Sequence, residues 1–192
     1  MLNRSISYAR DNGHDIIGVW LGEENDVDPG VLEQAGFTRG WKPCWMTAPL
    51  NRVPVKVDPR VRLEHATPGN PDARSPFGDS LALTTLRPPT AWCAGARDQS
   101  DGTPIGRAWA FRENNLAGIF DMEVLEPFQR QGIGTALLSS VCQAAAAAGA
   151  TDAVLNATPD GKRLYQARGF TQVGSGNTWW NHLKTRAQFP PL

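Results

Sequence analysis

The stretch Asp121–Thr135 reads DMEVLEPFQRQGIGT, and its pattern decides the fold. Its first residues alternate as those of a β-strand do, its middle is a turn with Gly132 and Gly134, and an apolar pattern of helical period follows at once. Backbone N–H groups converge in such a strand–turn–helix junction, and the helix N-terminus adds about half a positive charge. The stretch therefore predicts a cradle for a phosphate or pyrophosphate group.

Two common phosphate-binding motifs do not fit this junction. A dinucleotide-binding fingerprint requires a third glycine where this chain has Leu137, together with repeated strand–helix–strand units. A P-loop requires Gly-Lys followed by Ser or Thr, and that sequence is also missing here. A tight turn without a ligand is the simpler alternative for two glycines taken alone.

The surrounding sequence predicts a mixed, mostly antiparallel sheet with flanking helices, in the α/β (α+β) class. Before the junction, period-two patterns and turn residues predict four strands: Val61–His65, Ala91–Arg97, Ile105–Arg112 and Leu116–Val124. After it, the pattern predicts a helix over 134–149, a strand at Ala153–Asn156, a helix over Asp160–Arg168 and a last strand through Thr178–Trp180. Because the helix over 134–149 connects two strands, we expect those strands to be parallel.

Two sequence blocks in this order resemble the Gcn5-related N-acetyltransferase (GNAT) superfamily. The turn Gln129-Arg130-Gln131-Gly132-Ile133-Gly134 is similar to the superfamily's signature Gln/Arg-x-x-Gly-x-Gly/Ala for acetyl-coenzyme A (acetyl-CoA). Leu164-Tyr165-Gln166-Ala167-Arg168-Gly169-Phe170 is similar to a second block, Leu-Tyr-x-x-x-Gly-Phe. The resemblance covers about residues 57–186 and implies a GNAT fold that uses acetyl-CoA.

The resemblance also implies which residues bind the coenzyme. The pyrophosphate site corresponds to the glycine turn, which comprises Gln129, Arg130, Gln131, Gly132, Ile133, Gly134 and Thr135. Main-chain groups of Met122 and Val124 are expected to hold the pantetheine arm as an added strand would be held. Asn156 is placed with the coenzyme-binding residues. No metal is expected, because the histidines and cysteines are isolated from one another in sequence.

Tyr165 matches the tyrosine that, in many members, donates a proton to the departing thiolate. A thiolate leaves more easily if a phenol protonates it or donates a hydrogen bond to it. The alternative is a half-buried tyrosine that only packs in the core. The sequence context favours the catalytic role.

The general base is expected to be Glu123 or Asp121. Strict alternation places Ile119, Asp121 and Glu123 on one face of their strand, and Phe120, Met122 and Val124 on the other. Two carboxylates on one face would hold a proton more readily than one alone, which suits a base. The alternative is that one of them is a solvent-facing charge. Family members carry a glutamate near the positions of Asn156 or Gly118 here, so the resemblance does not supply the base.

The first part of the chain is predicted to be a partial, degenerate second copy of the GNAT-like unit. Val31–Thr38 aligns with Leu164–Thr171, and the flanking elements follow in the order helix, strand, helix, strand. The copy is truncated ahead of its first helix and has Leu32 where the full copy has Tyr165. The expected organisation is a half domain over 1–48, a proline-rich linker over 49–60 and a catalytic domain over 57–186.

Composition limits the partners. The 192 residues include 19 basic and 19 acidic side chains, so the net charge is zero and nothing draws the chain as a whole to nucleic acid or to anionic membranes. Three isolated cysteines and the absence of an apolar leader favour a cytoplasmic protein. A homodimer is counted among the candidate assemblies.

The sequence thus predicts an N-acetyltransferase that moves acetyl from acetyl-CoA to a primary amine by direct attack in a ternary complex. The amine belongs to a small molecule or to a protein, and its pocket is expected from the loop-rich region 58–90. The alternative is a non-catalytic module of the same fold that binds acetyl-CoA and acts in regulation or interaction. The missing family glutamates and the degenerate first copy motivate that alternative.

Overall fold

The computed structural model describes residues 2–25, 27–64 and 84–183. The chain divides into two compact units, one formed by Met1–Cys44 with Gly174–Leu192 and the other by Trp45–Val173. The boundaries 1–48, 49–60 and 57–186 stay a prediction. Of the predicted strand Val61–His65, the last residue lies outside the described residues, as does the stretch 65–83 of the loop-rich region.

The larger unit contains a sheet with the strand order β3-β8-β7-β6-β5-β4. Its strands are β3 (Cys44–Pro49), β4 (Val61–Glu64), β5 (Ala91–Arg97), β6 (Pro104–Glu113), β7 (Leu116–Val124) and β8 (Asp152–Ala157). The pairs β4–β5, β5–β6 and β6–β7 are antiparallel, whereas β7–β8 is parallel. The predicted bounds of β5 and β7 are confirmed. The prediction that the two strands joined by the helix, β7 and β8, are parallel is also confirmed.

Helix α3 (Ile133–Ala147) connects β7 to β8 and packs against one face of this sheet. Small side chains on that face let the helix lie close to the strands. The fully buried alanines there are Ala94, Ala96, Ala108 and Ala110. The helix contributes fully buried Leu137, Leu138 and Val141 to the same core. We call this side of the sheet the helix face.

Helix α4 (Lys162–Gln166) is shorter than the predicted Asp160–Arg168. Its start is delayed because the Thr158 hydroxyl accepts a hydrogen bond from the Gly161 N–H at 3.1 Å, in a turn before the first helical residue. Its end is set by Gly169, whose φ of +87° is left-handed and costs least for glycine.

The smaller unit contains α1 (Leu2–Asp11), β1 (Ile16–Gly22), α2 (Pro29–Gln34), β2 (Thr38–Arg39) and most of β9 (Thr171–His182). Both β1 and β2 pair with β9 in antiparallel register. The unit's core is formed by Ile6, Leu32, Phe37 and Trp179. The predicted order of helix, strand, helix and strand agrees with these elements. That the segment is a partial second GNAT-like copy stays a prediction.

The two aligned segments end their helices in the same way. The Phe37 N–H donates to the Leu32 carbonyl at 3.0 Å, and the Phe170 N–H donates to the Tyr165 carbonyl at 3.1 Å. The glycine before each phenylalanine has a positive φ, +85° in the first case and +87° in the second.

No helix in the described part of the chain is long and apolar enough to cross a membrane.

Candidate active site

Strands β7 and β8 part in the middle of the sheet. Their parallel pairing runs from Leu116–Asp152 to Ile119–Leu155, although β7 continues to Val124 and β8 to Ala157. The cause lies in β7, where Asp121 has a φ of +47° and the β6–β7 register shifts between Arg107 and Trp109. An extra residue on one strand bends it and increases its twist, as in a β-bulge. The gap between the strands is the natural entrance to a site.

The bulge also changes which side chains share a face. Phe120 pairs across the sheet with Trp109 and Glu123 with Arg107, and both partners lie on the face away from α3. Asp121 also reaches Arg107. The predicted grouping by strict alternation is therefore wrong at Ile119 and Phe120, because the additional residue at the bulge exchanges the faces on its N-terminal side.

The side chains of Met122 and Val124 lie on the helix face, close to Gly134 of α3. A Cβ built on Gly134 would lie 3.7 Å from Val124 Cγ2 and 4.0 Å from Met122 Cε. It would also lie 3.8 Å from Leu164 Cδ1, so the space above Gly134 is bounded by β7, α3 and the α4 segment. A side chain at this position would fill that space.

The glycine turn begins helix α3 with a left-handed residue. Gly132 is the helix N-cap with φ +87°, and Arg130 has φ +62°. Within the described part of the chain no side chain caps the helix, so no capping oxygen there satisfies the first N–H groups of α3. Gln129 fixes the turn to the strand, because its Nε2 donates to the Val124 carbonyl at 2.9 Å. Exposed amides at a helix N-terminus are suited to an anion.

A groove of about 960 Å³ lies beside this turn. Seven of the predicted coenzyme-binding residues line it: Met122, Val124, Gln129, Arg130, Gly132, Gly134 and Thr135. Its other wall is formed by Pro159, Asp160, Gly161, Arg163, Leu164, Arg168 and Phe128. Such a volume is in the range of sites for small molecules and cofactors.

Gln131, Ile133 and Asn156 do not line the groove. Gln131 is held at its edge, where Arg60 Nη1 donates to Gln131 Oε1 at 2.8 Å. Ile133 is buried in the core at the start of α3. Asn156 lies on the opposite face of the sheet, because it alternates with Leu155, whose partner Ile119 is on the helix face.

Sequence reasoning missed three basic residues at or near the groove: Arg163, Arg168 and Lys56. Arg163 and Arg168 line it together with Arg130, and the buried Nε of Arg168 has no hydrogen-bond partner among the described residues. The side chain of Lys56 comes within 3.9 Å of the position a Cβ would take on Gly132. The motif blocks contain Arg130 and Arg168, but no sequence signal brings Lys56 of the linker to the turn.

Tyr165 is buried next to Met122. Its hydroxyl donates a long hydrogen bond of 3.8 Å to the Met122 thioether sulfur, and its ring packs edge to face against Phe170. Burial, with a smaller contribution from nearby Cys142, raises the pKa of Tyr165 to about 12. The phenol is therefore protonated throughout the physiological pH range and acts as a hydrogen-bond donor.

Asp121 and Glu123 are brought together, but Arg107 lies between them. Arg107 Nε donates to Asp121 Oδ2 at 2.6 Å, and its Nη1 lies 2.9 Å from Glu123 Oε2. Sequence analysis did not anticipate Arg107 between the two carboxylates, and their role as the base stays a prediction. Their accessibility differs, since the Asp121 side chain is 13% exposed and that of Glu123 is 48% exposed.

Asn156 carries an unsatisfied atom. Its Oδ1 is buried and has no hydrogen-bond partner among the described residues. A buried carbonyl oxygen that loses its hydrogen bonds to water and gains no protein donor destabilises the fold by about 1–3 kcal/mol, so such atoms usually mark a binding site or a bound water.

For metal ions, no cluster of three or more potential ligand side chains occurs within residues 2–25, 27–64 and 84–183.

Comparison with known proteins identifies the fold. The model of the acetyltransferase (GNAT) family matches residues 60–170. A GCN5-related N-acetyltransferase from Sphaerobacter thermophilus is similar over 91% of this chain, with 16% identity and a TM-score of 0.61. This chain spans 62% of that protein's length. A GCN5-related N-acetyltransferase from Kribbella flavida is similar over 93% of this chain and 72% of its own, with 19% identity and a TM-score of 0.58.

A tandem GNAT protein from the clavulanic acid biosynthesis pathway is also similar in structure. The similarity covers 95% of this chain and 69% of that one, with 15% identity and a TM-score of 0.56. No curated protein matches the chain in sequence. At these identities, the structural neighbours establish the fold alone.

Proposed function

The chain belongs to the acetyltransferase (GNAT) family, and we propose that it transfers an acetyl group from acetyl-CoA to a primary amine by direct attack in a ternary complex. One observation carries this proposal. The groove at the glycine turn and the carboxylates of β7 lie on opposite faces of the sheet, at the point where β7 and β8 part. A donor bound on one face and an acceptor on the other would meet in the gap.

The groove has the features that the diphosphate of acetyl-CoA requires. The N–H groups at the start of α3 and the guanidinium groups of Arg130, Arg163 and Arg168 would hold the phosphates. Because Gly134 has no side chain, the space between β7 and α4 stays open for the pantetheine arm of acetyl-CoA. When bound, acetyl-CoA supplies the acetyl group as a thioester.

The Tyr165 hydroxyl would stabilise the thiolate that leaves. The acceptor nitrogen forms a bond to the acetyl carbon with its lone pair, and the carbon–sulfur bond breaks, so negative charge develops on sulfur. A phenol that stays protonated can donate a hydrogen bond to that charge. The proton lost by the nitrogen ends on the sulfur, which gives an amide and a free thiol.

We assign the base to Glu123 rather than to Asp121. A base must take a proton from the acceptor nitrogen directly or through water. Glu123 is half exposed and bonded to one nitrogen of Arg107, whereas Asp121 is largely buried and bonded to two. Accordingly, Glu123→Gln should lower kcat by about a hundredfold or more, within the usual range for a general base. Asp121→Asn should act mainly on stability, since it breaks a largely buried ion pair.

The test is to mix the protein with acetyl-CoA and a panel of primary amines while following release of free thiol. The proposal predicts amine-dependent release and an acetylated amine as product. It fails if the protein binds acetyl-CoA but no amine accelerates release above hydrolysis. A Gly132→Val variant serves as the control for the groove, because it should abolish both binding and release.

A second candidate function is a non-catalytic module that binds acetyl-CoA. One observation favours it: both carboxylates proposed as the base are engaged by Arg107. For this candidate, calorimetry would detect acetyl-CoA binding that depends on Gly132, while thiol release would stay at the level of the protein-free control with every amine.

A further inference from the structure

A row of aromatic side chains leads to the gap on the face away from α3. Trp109 and Phe111 of β6 stack with ring centroids 5.5 Å apart, and Phe120 of β7 meets Phe111 edge to face at 5.8 Å. Exposure increases along the row: Trp109 is 1% exposed, and Phe120 is 48% exposed. The most exposed ring of the three, that of Phe120, therefore lies on the strand that borders the opening between β7 and β8.

Gly118 makes room for that ring. A Cβ on Gly118 would lie 2.6 Å from Phe120 Cε2, so the ring occupies the space that a side chain at 118 would take. Gly118 pairs with Val154 of β8, which places Phe120 next to the strand that carries Asn156. The bulge at Asp121 is what turns Phe120 to this face.

Two polar groups lie on the same face as Phe120, one on each of the strands that border the opening. The buried Oδ1 of Asn156 has no hydrogen-bond partner among the described residues and so lacks a donor. The half-exposed carboxylate of Glu123 lies on the same face, and its Oε2 is 2.9 Å from Nη1 of Arg107. The N–H of an ammonium group would supply the donor that Asn156 Oδ1 lacks, and the half-exposed carboxylate of Glu123 would attract its positive charge.

We propose that Phe120, Asn156 and Glu123 form the acceptor site, and that the acceptor is a primary amine carried on an apolar, aromatic group. The aromatic group packs against Phe120, and the amine donates a hydrogen bond to Asn156 Oδ1. Glu123 attracts the ammonium form and takes its proton. This assignment rests on the proposed acetyl transfer and adds the class of the acceptor. An amino sugar would offer Phe120 a smaller apolar surface, surrounded by hydroxyl groups.

The experiment compares phenethylamine with ethylamine and glucosamine as acceptors. Wild-type protein should show a kcat/KM for phenethylamine at least about tenfold above that for ethylamine, as expected when an aromatic group gains an apolar contact. Phe120→Ala should remove most of this difference by raising KM for phenethylamine, with little effect on ethylamine. Phe120→Leu should restore part of it. Leu116→Ala, at an exposed apolar residue of the same strand, is the matched control and should change neither value.

Direct binding provides a readout that does not depend on turnover. Calorimetry with phenethylamine and free coenzyme A should give a dissociation constant that Phe120→Ala and Asn156→Leu each weaken by about tenfold. Equal use of the three amines, or unchanged phenethylamine binding in both variants, would overturn the assignment. Failure of the acetyl transfer itself looks different: phenethylamine would bind in a manner dependent on Phe120, but no thiol would be released.

Discussion

Tyr165 is better suited to donate a hydrogen bond than to give up its proton. Its pKa is raised to about 12, mainly by burial, whereas a thiol has a pKa near 8.5. A thiolate is thus a much weaker base than this phenolate, and complete transfer would be uphill. The hydroxyl can still stabilise negative charge on sulfur as the carbon–sulfur bond breaks.

Replacing Tyr165 by phenylalanine tests this role with the smallest change. Tyr165→Phe should lower kcat by about tenfold or more, roughly 1.4 kcal/mol, with little change in acetyl-CoA affinity. Tyr8, the other tyrosine of the chain, is 67% exposed and lies outside the groove. Tyr8→Phe is therefore the matched control. Unchanged turnover in Tyr165→Phe would remove the hydroxyl from the mechanism.

The same burial predicts a loss of stability at high pH. Burial raises the pKa of Cys142 to about 12, as it does that of Tyr165. In the unfolded chain these groups lose their protons near pH 8.5 and 10, so the unfolded state binds fewer protons than the folded state from about pH 9 to 12. The free energy of unfolding should fall across this window and be unaffected below it.

Denaturant titrations at several pH values measure this effect. The double variant Cys142→Ala with Tyr165→Phe should show a clearly smaller alkaline loss than the wild type, after allowance for its lower stability at neutral pH. An identical pH dependence in the two proteins would show that these groups do not cause the loss.

At the level of elements, β7 determines the site through its bulge. Alternation of apolar residues predicts the bounds of β7, but a bulge depends on how β6 and β7 pair. Aspartate is enriched among the non-glycine residues with positive φ, yet most aspartates have negative φ, so Asp121 alone does not mark the bulge. The faces of Phe120 and Ile119 could therefore not be predicted from the sequence. The ion pairs of Arg107 with Asp121 and Glu123 could not be predicted either, because Arg107 meets these residues only through the pairing of β6 with β7.

Other elements were predictable because their signals are local. The glycine turn, the start of α3 and the end of α4 depend on residues next to one another in the chain, and the structure has them where the sequence predicts them, within a few residues. The approach of Arg60 to Gln131 is a contact between distant residues, as is that of Lys56 to Gly132. No periodicity or motif encodes such contacts.

The turn at the start of α3 can be tested against the other end of the same helix. Gly132 and Gly149 both have positive φ, +87° and +98°, so a valine at either position strains the backbone. Each variant should lose about 1–2 kcal/mol of stability. Of the two variants, only Gly132→Val should abolish acetyl-CoA binding measured by calorimetry, because Gly132 lines the groove and Gly149 does not. Equal losses of binding in both variants would contradict the groove as the coenzyme site.

At the level of the whole molecule, the N-terminal segment shares a core with the last strand. Trp179 of β9 packs with Ile6, Leu32 and Phe37, and the Asn181 side chain donates to the Ala35 carbonyl at 2.9 Å. The sequence predicts a half domain over 1–48, and motif alignment cannot show which distant strand contributes to its core. Residues from both ends of the chain form this unit.

Leu32 provides a measure of how much this core contributes. Leu32 is 3% exposed, so Leu32→Ala should reduce the free energy of unfolding by about 2–5 kcal/mol, as buried leucines do. Val31 is its exposed neighbour on α2, and Val31→Ala should change the value by no more than about 0.5 kcal/mol. Chemical denaturation measures both. A small effect at Leu32 would mean that the cluster does not stabilise the unit.

The most direct measurement follows an isotopically labelled acetyl group from acetyl-CoA. The protein is mixed with labelled acetyl-CoA and phenethylamine, and the products are identified by mass spectrometry. Acetyl transfer predicts labelled N-acetylphenethylamine in an amount equal to the thiol released, and at least about tenfold less with Tyr165→Phe. Saturable binding of acetyl-CoA without labelled amide, from phenethylamine or any other primary amine, would contradict it.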